Sequence, residues 1–171
     1  MKSWKHIAFC FAGLSASFAM VSCDDDPVYP VEPVIAFESF VKIQNNGGPD
    51  NKGILKITFT DGDGDIGLTE NDNAPPYDTA SPYYYNCFVA YFEKQKGVFK
   101  EVALPISNNY RIPLTPPAEK GLPLIGEVDI ELFINNYLSI YDTIRYEVYI
   151  VDRALHHSNT ITTPEIIVKK H

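Results

Sequence analysis

The stretch ILKITFTDGDGDIGL, residues 54–68, joins the two patterns on which the fold of this chain depends. Its first half alternates apolar and polar side chains, which is the period-two pattern of a strand with one buried face. Its second half places Asp61, Asp63 and Asp65 at alternate positions with glycine between them. The sequence therefore predicts a half-buried β-strand that ends in a tight and strongly acidic loop.

The period of two recurs along the chain, and no long stretch after residue 33 keeps the 3.6-residue period of a helix. Turn-forming residues, such as those at 45–48 and 94–97, separate the alternating segments. The candidate strands are 34–43, 55–60, 85–93, 98–104, 110–114, 127–132, 144–151 and 160–168. About seven to eight short strands predict an all-β fold, and specifically a single antiparallel Ig-like or fibronectin-like β-sandwich.

The N-terminal residues predict a secretory signal. Two lysines precede an apolar run at 7–21, which is too short to span a bilayer because about 18 apolar residues are needed. The run ends in the tetrapeptide MVSC, residues 20–23, which resembles a bacterial lipobox. That resemblance implies acylation of Cys23 and an anchor in a membrane. The alternative is ordinary signal cleavage nearby, with Cys23 incidental.

Acidic residues and regularly spaced prolines follow the cysteine. Asp24, Asp25 and Asp26 resemble the signal that exports lipoproteins of Bacteroidota to the cell surface, which implies an outer-membrane protein that faces outward. The alternatives are a solvated linker or, as in enteric bacteria, retention in the inner membrane. Prolines at 27, 30 and 33 favour an extended tether. The predicted organisation is a signal peptide (1–22), a lipidated tether (23–33) and one sandwich domain (34–171).

Charge and motifs exclude several classes of function. The formal net charge is −8, and removal of the signal with its two lysines takes it to −10, which repels nucleic-acid phosphates. No residue stands in a nucleophile motif and no glycine-rich loop precedes a helix, so the sequence predicts no enzyme. His156 and His157 are adjacent, and neighbouring residues of a strand face opposite ways, which argues against a zinc site.

The acidic loop predicts a cation site, because carboxylates this close repel one another unless a positive charge joins them. Gly62 and Gly64 can adopt the positive φ that curls a backbone around an ion. The expected cofactor is a structural Ca2+, and its candidate ligands are Asp61, Asp63, Asp65 and Asp72, with Asn73 and Glu70 as further candidates. The spacing matches an EF-hand loop only in part. The alternative is a plain Asp-Gly turn with solvated acids.

A long segment rich in proline and tyrosine follows the acidic loop, and long ordered loops are often functional. Tyr77, Tyr83 and Tyr84 are candidates to pack on a protein partner or to stack on a sugar. The alternative is that the tyrosines begin the next strand and are half-buried.

The last third, YEVYIVDRALHHSNTITTPEIIV at 146–168, resembles the closing strands of Ig-like domains in secreted bacterial proteins, although Leu155 stands where such domains more often carry glycine. With the DGDGDIG loop, the chain as a whole resembles a family of Bacteroidota outer-membrane and surface lipoproteins. The resemblance implies a fold and a location but no activity. We therefore expect a non-enzymatic accessory protein that docks to another envelope protein. The alternative is a glycan-binding lipoprotein that uses the tyrosine-rich loop.

Overall fold

A computed structural model describes residues 27–43, 45–114 and 121–170, so Cys23 and the acidic residues Asp24, Asp25 and Asp26 lie outside the described part. Within these ranges the chain is all-β, and no helix is present that is long and apolar enough to cross a membrane. The strands are β1 (Val34–Lys42), β2 (Lys52–Asp61), β3 (Cys87–Gln95), β4 (Val98–Glu101), β5 (Leu124–Phe133), β6 (Thr143–Ile150), β7 (Ile161–Thr162) and β8 (Ile166–Ile167).

The strands form two antiparallel sheets, in the orders β1-β2-β5 and β4-β3-β6-β7, with β8 also paired to β6. In the first sheet, the register of β2 with β5 runs from Lys52 opposite Phe133 at one end to Asp61 opposite Leu124 at the other. One hydrophobic core contains residues of both sheets. The predicted all-β antiparallel architecture is confirmed, and it is consistent with a β-sandwich.

The alternating pattern of the strands builds this core. In β2, Leu55 and Ile57 are fully buried, while the residues between them are partly exposed. In β6, Tyr146 is fully buried and its hydroxyl donates to the carbonyl of Phe133 at 2.9 Å, so its polar end is also satisfied. Cys87 is buried and unpaired, as expected for a small apolar residue, and burial raises the pKa of its thiol to about 12.

The segment 110–114 was predicted as a strand, and this prediction is wrong. It meets its neighbours only through single bridges at Tyr110 and Pro113, since proline has no N–H to donate to a ladder. The side-chain amide of Asn86 replaces a strand partner here. Its Oδ1 accepts from the N–H of Ile112 at 2.6 Å, and its Nδ2 donates to the Ile112 carbonyl at 3.3 Å. A buried side chain thus satisfies backbone groups that lack a strand neighbour.

The last predicted strand, 160–168, is divided into β7 and β8 around Pro164. Thr163 bridges the gap, because its N–H donates to the Tyr146 carbonyl at 2.9 Å and its hydroxyl accepts from the Tyr146 N–H at 3.0 Å. Asn159 acts similarly at the edge of the first sheet, where its side-chain amide pairs with the N–H and carbonyl of Ile35 at 2.8 and 2.9 Å.

We expect Asn86→Ala to lower the free energy of unfolding by roughly 1 to 3 kcal/mol, because it leaves the buried N–H of Ile112 without a partner, while the Ile112 carbonyl keeps its bond from the Leu68 N–H at 2.9 Å. Asn159→Ala is the matched control, since it removes two similar bonds from Ile35 but the Asn159 side chain is itself exposed, so that water can take its place. Its expected loss is about 1 kcal/mol or less. Urea unfolding measures both, and equal losses would show that burial is not the cause.

Candidate metal centre

The acidic loop after β2 meets the turn after β6, and four carboxylates come together there. Oxygen atoms of Asp61, Asp63, Asp65 and Asp152 all lie within 4.8 Å of one another. Ca2+ binds oxygen at about 2.3 to 2.6 Å, so two ligands on opposite sides of one ion are roughly 5 Å apart. The cluster is therefore compact enough to hold a single metal ion. We call these four residues the acid cluster.

Two glycines shape the loop, each for a different reason. Gly64 has a φ of +68°, in the left-handed region that the sequence analysis expected. Gly62 does not take a positive φ; it is required because a Cβ there would lie only 2.4 Å from the carbonyl oxygen of Tyr29 and 2.6 Å from that of Pro30. Its N–H donates to Pro30 at 2.8 Å. The segment before β1 therefore packs directly against the acidic loop.

Two carboxylate oxygens of the cluster are buried and have no hydrogen-bond donor among the residues that the structure describes. Asp61 is fully buried; its Oδ2 accepts from the N–H groups of Asp65 and Ile66 at 2.8 and 3.2 Å, but its Oδ1 has no partner. The Oδ1 of Asp63 is also buried and unpartnered. An unpaired buried carboxylate oxygen is strongly destabilising. A cation bound in the cluster would satisfy both atoms, so these residues fit a metal ion.

The pKa values of the cluster also indicate that its negative charges are poorly compensated. Burial raises the pKa of Asp61 to about 6, and the charges of Asp63 and Asp65 add to this rise. Burial and the charge of Asp152 also raise the pKa of Asp65. Asp152 itself accepts from the N–H of His156 at 2.8 Å, and its Oδ2 lies 2.9 Å from Nδ1 of that ring. The hydrogen bond to Asp152 raises the pKa of His156.

Asp72, which the sequence analysis offered as a fourth ligand, has a different role. Both of its oxygens accept from the guanidinium of Arg153, at 2.6 and 2.9 Å, and Oδ2 also accepts from the N–H and hydroxyl of Thr69. The hydrogen bond from Arg153 is the main cause that lowers the pKa of Asp72. The further candidates Asn73 and Glu70 are exposed. Asp152 supplies the fourth carboxylate of the cluster instead.

Two arginines that the sequence analysis did not single out hold the long loop between β2 and β3. Arg111 donates to four backbone carbonyls of that loop, at distances of 2.6 to 3.4 Å: Thr69, Asp72, Tyr77 and Tyr84. Arg153 links the same loop to the turn after β6 through Asp72. Their partners are mostly backbone atoms, so no residue pattern in the sequence could reveal these contacts.

The candidate binding tyrosines are half-buried in intramolecular contacts, as the alternative interpretation expected, but they do not begin the next strand, because β3 starts only at Cys87. Tyr77 donates through its hydroxyl to the carbonyl of Arg153, and its ring lies beneath that guanidinium. Tyr84 lies beneath Arg111, with 4.9 Å between the guanidinium carbon and the ring centroid. Tyr83 meets His157 edge to face at 5.9 Å. Their ring faces are therefore largely occupied by the protein itself.

The opposite end of the domain carries a second feature, in the loop between β5 and β6. Tyr137, Leu138 and Ile140 are 71%, 85% and 90% exposed, and we call these three residues the apolar tip. They follow Phe133, which pairs with Lys52 at the end of β2 that is distant from Asp61. Three neighbouring apolar side chains that project this far into solvent indicate an interaction surface.

A buried carboxylate holds the loop of the apolar tip in this orientation. Glu93 is 1% exposed, and its oxygens accept from Nδ2 of Asn136 at 2.9 Å and from the hydroxyl of Ser139 at 2.7 Å. The polar side chains of the loop thus turn inward to Glu93, and the apolar ones turn outward. This role of Glu93 could not be predicted from the sequence, because Glu93 resembles an ordinary charged residue near the end of a strand.

Comparisons with protein-family models, with curated proteins and with solved structures give no match.

With the metal chelated, we expect stability to fall as pH rises from about 4 to 6, because the folded-state pKa of Asp61 lies above its unfolded value of about 3.9. The stabilisation that comes from protonated Asp61 is complete at pH values below the pKa of the unfolded state. It is lost as the pH rises through the pKa of the folded state. In EDTA at pH 7, Asp61→Asn should therefore be more stable than wild type by about 2 to 3 kcal/mol, and the difference should shrink near pH 4.5. Urea unfolding at the two pH values measures it. Glu70→Gln, an exposed acid of the same loop, should show no such difference.

Proposed function

We propose that this chain is a non-enzymatic accessory lipoprotein, anchored by lipid in the outer membrane and exposed on the cell surface, whose domain docks to another envelope protein. A Ca2+ ion in the acid cluster stiffens the domain. The observation that carries the proposal is the position of the acid cluster and the apolar tip at opposite ends of one rigid pair of sheets.

The chain enters the domain at the end where the acid cluster lies. Pro30 packs against Gly62, and Val34 at the start of β1 pairs with Thr60 near the end of β2. A lipid on Cys23, a few residues earlier, would hold this end nearest to the membrane. The ten residues of β2 then separate the apolar tip from that end by roughly 33 Å. The tip would point away from its own membrane, which supports a protein partner rather than a lipid surface.

The construction of the tip also supports docking. Burial of the Glu93 carboxylate opposes folding, and two of the four side chains that bind it, those of Asn136 and Ser139, fix the loop in which the apolar tip remains in water. Such an arrangement is favourable when a partner covers the apolar side chains. A tethered domain needs only a modest contact, because the anchor raises the effective concentration of a partner in the same membrane, to about millimolar.

The chemistry of the acid cluster supports Ca2+ as the cofactor. All four side chains offer hard carboxylate oxygens, and no thiolate or imidazole belongs to the group. Ca2+ accepts irregular oxygen ligand sets completed by water, whereas Mg2+ requires near-ideal octahedral geometry. A bound ion would join the acidic loop to the turn that carries Asp152. Its role is then structural, and it stiffens the end of the domain nearest to the anchor.

The strand order supports the Ig-like class within the β-sandwiches. The orders β1-β2-β5 and β4-β3-β6-β7 correspond to strands A-B-E and C′-C-F-G of that class, with the last strand divided in two. Leu155, with a φ of +69°, occupies the left-handed turn position at which the resemblance led us to expect glycine.

A glycan-binding lipoprotein is the second candidate. The tyrosine-rich loop gives it little support, because the rings of Tyr77 and Tyr84 are covered by arginines. A groove on the face of the second sheet offers a different site for a sugar.

We expect Ca2+ to raise the stability of the protein, because an ion that binds only the folded state at tenfold its dissociation constant adds about 1.4 kcal/mol. The melting temperature should rise by about 3 to 6 °C. Extracellular calcium modules often bind at about 10⁻⁴ to 10⁻³ M, so about 5 mM Ca2+ is compared with EDTA. Asp63→Asn combined with Asp65→Asn should abolish the rise.

Two variants of neighbouring acids serve as controls for the calcium experiment. Glu70→Gln should keep the full response, since this side chain is exposed outside the cluster. Asp72→Asn should lower the melting temperature with and without Ca2+, because it breaks the pair with Arg153, but the increment due to Ca2+ should persist. Identical melting curves of the wild type in Ca2+ and in EDTA would exclude the cation site.

The docking role predicts that Leu138→Ser combined with Ile140→Ser releases the envelope partner without unfolding the domain. Both side chains are exposed, so the melting temperature should change by less than about 2 °C. The chain is purified in mild detergent from the native cell, and the partner that co-purifies is quantified by mass spectrometry. The wild-type chain should recover at least about fivefold more partner than the variant, as expected for the loss of two central apolar contacts.

Val98→Ser combined with Ile125→Ser is the matched control, because these residues are similarly exposed apolar side chains outside the tip. It should retain the partner.

Cys23→Ala should release the chain from the membrane fraction or leave an unprocessed precursor. Protease added to intact cells should remove the wild-type domain, and replacement of Asp24, Asp25 and Asp26 by alanine should protect it. The proposal would be contradicted if both double variants recovered the same amount of partner, or if the wild-type domain resisted protease on intact cells.

A further inference from the structure

A groove of about 440 Å³ crosses the outer face of the second sheet, between strands β3 and β6 and the loop that follows β4. The strand register explains why it exists. Phe88 lies opposite Tyr149 and Ala90 lies opposite Glu147, all on the half-exposed face of the sheet. The methyl group of Ala90 leaves a depression among larger neighbours. The loop that contains Asn108 forms the facing wall.

The aromatic wall of the groove is held rigid by stacking. The rings of Phe88 and Tyr149 stack at 4.8 Å between centroids, with 10° between their planes. Tyr149 in turn stacks on His157 at 5.5 Å and 12°. Tyr149 is the middle ring of this row, so both of its faces are covered, and the face that is left for a ligand in the groove is that of Phe88. Pre-ordered aromatic surfaces of this kind pack well against the C–H face of a pyranose ring, because little side-chain entropy is lost on binding.

The facing wall contains a buried donor without an acceptor. Asn108 is 4% exposed, and its Nδ2 has no hydrogen-bond partner among the described residues. The neighbouring Asn109 already accepts from the N–H of Val89 at 3.0 Å. A buried amide N–H without a partner is destabilising, and an acceptor that enters the groove would remove this penalty. Asn108 therefore indicates a ligand or water oxygen at this place.

The charges that line the groove restrict the class of ligand. Glu101 and Glu147 line it, and no lysine, arginine or histidine does so in the part of the chain that the structure describes. Oε1 of Glu147 accepts from Arg145 at 3.1 Å, which leaves Oε2 to accept from a ligand. Carboxylates accept hydrogen bonds from hydroxyl groups but repel phosphates, sulfates and uronic acids. Aromatic rings, carboxylates and an amide donor together match a neutral ligand that is rich in hydroxyl groups and has apolar C–H faces.

We propose that this groove is a binding site for neutral carbohydrate, with Phe88, supported from behind by Tyr149, as the stacking surface and Asn108 and Glu147 as the groups that bind hydroxyls. The site lies on the sheet face and not in the loop of Tyr77, Tyr83 and Tyr84. It does not rest on the docking role, since the apolar tip belongs to a different loop.

The test uses the purified full chain in mild detergent, with a panel of neutral hexasaccharides as probes: β-1,4-glucan, β-1,3-glucan, α-1,4-glucan, xylan and mannan fragments. Polygalacturonate and a sulfated glycan serve as anionic probes. Affinity is measured by calorimetry, and contact by saturation-transfer NMR. We expect at least one neutral probe to bind and both anionic probes to fail.

Asn108→Ala and Phe88→Ala should each weaken binding of that probe by about tenfold or more, as expected when a hydrogen bond or a stacking surface is lost. Because Phe88→Ala also removes part of the ring stack, Ala90→Leu provides a second variant that only fills the groove, and it should abolish binding with a native melting curve. Tyr149→Phe should bind nearly as wild type. Tyr83→Ala and Tyr137→Ala are controls with no expected effect. The proposal is overturned if no neutral probe binds, if Ala90→Leu binds normally, or if Tyr83→Ala alone removes binding.

Discussion

The buried carboxylate of Asp61 is the constraint on which one end of this domain depends. It lies where β2 stops, two backbone N–H groups of its own loop bind one oxygen, and the other oxygen has no donor. The loop must therefore curl tightly, which requires the left-handed Gly64, and other carboxylates converge on the unsatisfied side. A compact group of four acids is unstable without a counter-charge. A cation bound in the cluster would turn this repulsion into a bridge between two loops.

Several side chains pair with backbone groups that would otherwise bond to a neighbouring strand. Asn86 pairs with both backbone groups of Ile112, and Asn159 does the same for Ile35. Thr163 links β6 to the interrupted last strand next to Pro164. Each residue is placed where a regular ladder stops, either at a proline or at the edge of a sheet. A buried backbone N–H or carbonyl needs a hydrogen-bond partner where the ladder ends, and these short polar side chains provide it. The sheets can therefore end beside the core without unpaired backbone groups.

The two ends of the domain differ in how their charged side chains are arranged. At the entry end, acids gather and Arg153 and Arg111 fix the surrounding loop through Asp72 and backbone carbonyls. At the far end, a single carboxylate, Glu93, is turned inward and directs the apolar tip outward. One end is therefore suited to a cation and an anchor, and the other to a partner. The sheet between them carries the groove, so the proposed functions use separate surfaces.

The sequence by itself determined the features that depend on near neighbours along the chain. Alternation identified β2 and β6, because a strand exposes every second residue, and the spacing of Asp61, Asp63 and Asp65 predicted their convergence. Only the tertiary structure decided that Asp152 joins them while Asp72 pairs with Arg153, because these contacts depend on how distant loops meet. The same holds for segment 110–114, which has a strand-like pattern but pairs with the Asn86 side chain instead of a ladder. Local periodicity fixes which face of a strand is buried, but long-range packing fixes which of several similar acids and aromatic rings form a site.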